Sequence, residues 1–174
     1  SLEALFHYPG VCLMEGTNLS VGRGTDHPFE QVGAPWLDTT RVLTRLRAAG
    51  LPGVRFAGVK FRPKRPGDDK YPNTTVAGIR LTVTDRDAYD PTATAVTMMA
   101  VIRAVHPGKL TWTPGQFDRL AGNSALRLAL SGGAAPGAAM EGWPAELQQF
   151  VVRSQSALIY LRPANLPGAS APAP

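Results

Sequence analysis

Glu15, Asn18, Ser20, Arg23 and Thr25 crowd one short stretch, separated by Gly16, Gly22 and Gly24. A carboxylate, an amide, hydroxyls and a guanidinium together can exchange hydrogen bonds with a polyol. The guanidinium can also hold a carboxylate through two parallel bonds. Loops that only connect elements are short and use one or two turn residues; this one is long and dense in polar side chains. Its glycines admit positive φ and close approach of a ligand to the backbone. Asp85 and Arg86 form a second candidate, because polar residues where a strand ends can line a ligand crevice. The plainer alternative is an Asp-Arg pair that fixes a turn.

Acid chemistry has candidates as well. Glycoside hydrolysis uses carboxyl groups on either side of the scissile bond, and Glu15, Asp26, Glu30 and Asp38 surround the loop. Each has a structural reading. Asp38 suits a helix N-cap, Asp26 and Glu30 suit solvent, and Glu15 can fix the loop or contact a sugar hydroxyl. Arg23 can hold a ligand carboxylate or pair with Asp26 or Glu30. Trp36 can stack on a sugar ring or cover the core. Other chemistries lack their residues. His7, His27 and His106 are isolated and Cys12 is alone, so no zinc spacing exists. There is no P-loop, dinucleotide fingerprint or G-x-S-x-G elbow. No metal or cofactor is expected, and Cys12 reads as a buried, inert thiol.

With 174 residues, 44% of them hydrophobic, the chain can bury a real core. One domain is expected over residues 1–162, followed by a disordered tail over 163–174. The formal net charge is +5, but only Lys60 to Arg65 forms a basic cluster. That pattern speaks against nucleic-acid binding and fits a solvated basic loop or mild attraction to anionic wall polymers. No apolar run is long enough to span a membrane. The chain does not begin with Met and reads as a processed or excised piece.

The elements that position these residues follow from pattern. Ser1 to Pro9 reads as a lead-in and Val11 to Met14 as a buried strand entering the loop. Asp38 caps a helix over Thr39 to Ala49, stapled by Leu37 and Val42 and ended by Gly50. Strands are expected over Val54 to Arg62, with a bulge at Ala57-Gly58, and over Thr74 to Thr84. Between them Arg62 to Asn73 reads as a basic surface loop. Asp90-Pro91 starts a helix containing the core residues Met98 and Met99, and His106 supplies a cap charge at its end. A short strand over Lys109 to Thr113, helices over Phe117 to Ala121 and Ser124 to Leu130, and a loop over Ser131 to Gly142 follow. The last helix, Trp143 to Tyr160, shows one apolar face. The sum is an α+β fold, a small mixed or antiparallel sheet with helices packed against it.

One resemblance is specific. Glu15-Gly16-Thr17-Asn18, Ser20, Gly22-Arg23-Gly24-Thr25, Pro28-Phe29 and Gly33-Ala34-Pro35-Trp36 together resemble the motif of the DUF1343 family, associated with exo-acting β-N-acetylmuramidases of the NamZ type. Val83 to Arg86, Phe117 to Asn123 and Trp143 to Tyr160 continue it, so it covers Tyr8 to Tyr160. The resemblance is to the C-terminal domain alone. It implies a partner N-terminal Rossmann-like domain that carries the catalytic glutamate, MurNAc-containing glycans as substrate, and a secreted or periplasmic location. It assigns no catalytic residue to this chain. The alternatives are a non-catalytic module binding cell-wall glycans and a purely structural domain.

Overall fold

The computed structural model describes residues 1–160. The predicted tail, residues 163–174, lies outside the described residues, as does Leu161 of the predicted last helix. The chain forms two compact units, Ser1–Ala139 and a shorter one from Met140 onward.

The first unit is built on a three-stranded antiparallel sheet. Its strands are β1 (Gln31–Ala34), β2 (Val54–Phe61) and β3 (Val76–Val83), in the order β1-β3-β2. Helices α1 (Leu2–Val11) and α2 (Thr39–Ala48) pack on it, and α3 (Pro91–Val105) packs on both of those helices. The α+β class expected from the sequence is what forms. Register puts Val32, Phe56, Ile79 and Leu81 on one face of the sheet, and all four are buried. Val42 and Leu46 of α2 and Val96, Met98, Met99 and Ile102 of α3 complete the core. Asp38 and Asp90 cap their helices as the sequence implies, accepting from Arg41 N and from Thr92 N and Ala93 N.

Helix α1 replaces the predicted lead-in, and all of the predicted buried strand but Val11 falls in the turn after it. That 3-10 turn spans Cys12–Gly16. Four apolar residues cannot distinguish a buried strand from a buried helical segment. Here the N-terminal signals decide: Ser1 Oγ accepts from Ala4 N, and Glu3 lies in the first turn. The expected bulge in β2 is also absent. Pairing runs unbroken from Val54↔Val83 to Phe61↔Val76. The change of apolar phase has another cause. Phe56 faces the helices, while Phe61 lies over Gly78 on the opposite face, where a Cβ at Gly78 would sit 2.6 Å from Phe61 Cε1. Each phenylalanine is thus buried on its own face of the sheet.

Three further expectations change. Lys109 to Thr113 forms no named strand, only a bridge between Thr17 and Trp112. After α4 (Pro114–Ala121) and α5 (Ala125–Gly132), joined by an Asp118–Arg127 pair at 2.7 and 2.8 Å, the predicted loop contains one helical turn, α6 (Pro136–Ala139). His106 supplies no cap charge. Its Nε2 accepts from Asp38 N at 3.0 Å, which requires that nitrogen to be unprotonated.

In the second unit, α7 (Trp143–Ser154) ends before Tyr160 and gives way to a 3-10 turn over Gln155–Ala157. Of its predicted apolar face only Val151 is buried, while Leu147 and Phe150 are exposed. No helix among the described residues is long and apolar enough to cross a membrane.

His7 of α1 is completely buried. Its Nδ1 lies 2.8 Å from Tyr89 Oη and its Nε2 3.5 Å from Glu3 Oε1. Burial pushes the imidazole below its usual value, against the pull of Glu3 and Glu30. Burial does the same to His106. A lowered folded value means the unfolded chain takes up these protons first. Stability is therefore fully present above a pH of about 6.5 and falls as the pH drops toward the folded values. Urea denaturation at pH 7.5 and pH 5 is expected to show that loss, and His7→Phe to lessen it. Packing offers a second check. A Cβ on Gly10 would lie 1.9 Å from Pro91 O. Gly10→Ala is expected to lower unfolding free energy by about 1–3 kcal/mol. Gly67→Ala, where nothing lies within 4 Å, should change it by less than about 0.5 kcal/mol.

Candidate functional site

The glycine-spaced loop runs from the 3-10 turn to β1 and is largely buried. Asn18 is tied to the segment before α4. Its Nδ2 donates to Lys109 O at 2.8 Å and its Oδ1 accepts from Thr111 N at 3.0 Å. Ser20 is fully buried and bridges to Gly33, extending the pairing of β1 on its far side. Its Oγ accepts from Gly22 N. Thr25 Oγ1 donates to Gly22 O and accepts from His27 N and from Gln31 Nε2. Of these three side chains, read from the sequence as candidate contacts, Ser20 and Thr25 close the loop on itself and Asn18 ties it to the segment before α4.

Gly24 shows why the spacing needs glycine. Its φ is +76°, and a Cβ there would lie 2.7 Å from Lys64 O. The close approach belongs to the basic excursion Arg62 to Asn73, which folds back over the loop rather than standing free as a surface loop. Lys64 N donates to Gly24 O at 2.7 Å, Lys70 Nζ to Glu15 O at 2.8 Å, and Tyr71 Oη to Asn18 O at 2.7 Å. Burial lowers the Lys70 ammonium from its ordinary value, with Asp68 and Glu15 opposing. Tyr71 adopts a φ of +53°, a strained value for an aromatic residue. Trp36 is half-buried, with its ring edge-on to His106. Lys70 and Tyr71 were invisible as loop partners in the sequence, because nothing local links them to residues so far upstream.

Arg23 is different. Its Nε donates to Glu15 Oε1 at 2.5 Å, and its Cζ lies 4.9 Å from the centroid of the Phe29 ring. The hydrogen bond to Glu15 raises the guanidinium above its usual value, burial opposing. The partner is Glu15, not Asp26 or Glu30. The side chain is 38% exposed. Among the described residues nothing bonds its terminal nitrogens. Phe29 is itself held at a φ of +64°, braced by the edge of Tyr8. The guanidinium is thus fixed at its inner nitrogen and stacked on a ring, with its outer edge open to a carboxylate or a sugar oxygen.

Glu30 is buried and bonded to Ser1 Oγ and His27 Nδ1. Burial pushes its carboxyl up, but those bonds and the His27 and Arg80 charges outweigh it and hold the group below its usual value. A carboxyl so held favours the ionised form, the reverse of what a general acid needs. Asp85 and Arg86 lie beyond Val83, at the end of β3 remote from Val76 and the excursion. Asp85 Oδ1 accepts from Asp87 N and Ala88 N, and Arg86 packs over the Phe6 ring. The structure brings no described contact between them and the loop.

Residues 6–160 match the family described as Exo-beta-N-acetylmuramidase NamZ, C-terminal. The chain belongs to that family. It is 35% identical over 161 residues to the peptidoglycan beta-N-acetylmuramidase NamZ of Bacillus subtilis, covering 92% of this chain and 38% of that protein. Two crystal structures of DUF1343 family proteins from Bacteroides fragilis share the fold. One has a TM-score of 0.77 at 19% identity, covering 90% of this chain and 42% of its own. The other has 0.66 at 22%, covering 94% and 42%. The chain therefore spans about two fifths of the length of these relatives. For a NamZ C-terminal domain, the structure places the polar motif at a loop that the excursion locks down.

Tyr71→Phe removes one of the locks. It is expected to lower unfolding free energy by about 1 kcal/mol and to speed amide exchange across residues 62–75. Unchanged exchange there would show that the excursion is held by other means.

Proposed function

We propose that this chain is the accessory domain that lines the substrate cleft of an exo-acting β-N-acetylmuramidase, with the catalytic residues on an N-terminal Rossmann-like domain. The observation that carries this reading is Arg23, preset by Glu15 and Phe29 with its terminal nitrogens open. Family membership supports it, and the B. subtilis relative bears the activity in its name. In this reading Arg23 meets the carboxylate of the N-acetylmuramic acid lactyl group. Asn18, Ser20 and Thr25 act indirectly by fixing the loop. In this reading the parent protein works in the cell envelope, secreted or periplasmic.

Two measurements test the reading. Hydrolysis of a chromogenic MurNAc glycoside is expected from the full-length parent and not from this chain alone. Turnover by the chain alone would reject the accessory role, and none by the parent would reject the muramidase reading. In the parent, Arg23→Ala is expected to lower kcat/KM by about ten- to a hundredfold, without rescue by Arg23→Lys. Asn18→Ala is expected to lower Tm instead. A purely structural domain would show unchanged Michaelis parameters for both.

A further inference from the structure

Beyond the Arg23 fork, the sheet face opposite the helices holds a second opening. Gly24 to His27, Gln31 of β1, Arg80 of β3 and Lys60, Phe61, Arg62 and Lys64 surround a pocket of about 280 Å³. Its floor is ordered by Gln31, whose side chain is buried. Gln31 Nε2 donates to Thr25 Oγ1 at 2.9 Å, and its Oε1 accepts from Arg80 Nη2 at 2.8 Å. The rim carries Arg62 and Lys64, both exposed, while Lys60 meets the opening at the edge of β2, where register sets its side chain with Phe56 on the other face. Arg62 Nε bonds only to a neutral carbonyl, Asn73 O, and no ion pair holds Lys60 or Lys64 among the described residues. Against these cations the lining offers one carboxylate, Asp26. Glu30, 3.9 Å from Arg80, is already bonded to Ser1 and His27.

Cations gathered around a concave surface repel one another and attract an anion that neutralises them together. We infer that this pocket binds a phosphate group. The lining carries more positive charge than a single carboxylate would neutralise. The Lys64 ammonium acts as a point charge that suits a compact group with several acceptor oxygens, and Arg80, its Nη2 bonded to Gln31, adds a fixed positive charge at the floor. A small phosphate ester and a phosphodiester of an anionic wall polymer share that chemistry. The pocket does not include Arg23, so the inference stands apart from the muramidase reading.

The test is a titration of the isotopically labelled 174-residue chain at constant ionic strength, with inorganic phosphate, poly(glycerol phosphate) and acetate as separate probes. Saturable amide shifts at Thr25, His27, Lys60 and Lys64 are expected from a phosphate-bearing probe. Acetate should bind at least about tenfold more weakly. Arg62→Gln with Lys64→Gln should weaken phosphate binding by about tenfold or more. Response to the polymer alone would mark a phosphodiester, and response to inorganic phosphate a small ester. No saturable shift from either phosphate probe, an equal response to acetate, or full affinity in the double variant would overturn the inference. Should that variant fail to fold, the position of the shifts in the unmodified chain still decides.

Discussion

The constraint behind this structure is the burial of a polar loop. Thr17 and Leu19 to Gly22 are buried, and each unpaired backbone group there would cost free energy comparable to a lost hydrogen bond. Their neighbours are arranged to meet that demand. Thr17 N and Oγ1 reach Met14 O, Asn18 N reaches Thr111 O, and Ser20 exchanges two bonds with Gly33. Lys70 and Tyr71 then cap the carbonyls of Glu15 and Asn18. The excursion between β2 and β3 exists in its observed form because the loop needs those donors.

This explains what the sequence made legible. Signals that act over one helical turn were readable: Asp38 and Asp90 as caps, and Met98 and Met99 as core. The polar motif itself was readable, since its density and glycine spacing are local. What escaped notice was long-range. Asn18 looked like a ligand contact, but its amide is committed to Lys109 and Thr111. Glu15, open from the sequence to fixing the loop or to contacting a sugar hydroxyl, fixes it by anchoring Arg23. The phase change in β2 looked like a bulge because burial on both sheet faces cannot be seen from one strand. Pro9 concealed α1, which tolerates it near its C-terminal end.

Membership of the NamZ C-terminal family and the DUF1343 fold agree with the motif that organises the loop. The geometry adds a division of labour within that motif. Asn18, Ser20 and Thr25 hold the backbone, whereas Arg23 is held so that its far side stays open. Rigid positioning of one charged group by a ring and a carboxylate lowers the ordering cost of contacting a ligand.

That division is most directly tested by side-chain nitrogen NMR of the parent protein as N-acetylmuramic acid is added. The account predicts that the Arg23 guanidinium signals shift and saturate while the Asn18 side-chain amide stays where it was. A shift at Asn18 with Arg23 unmoved would contradict it.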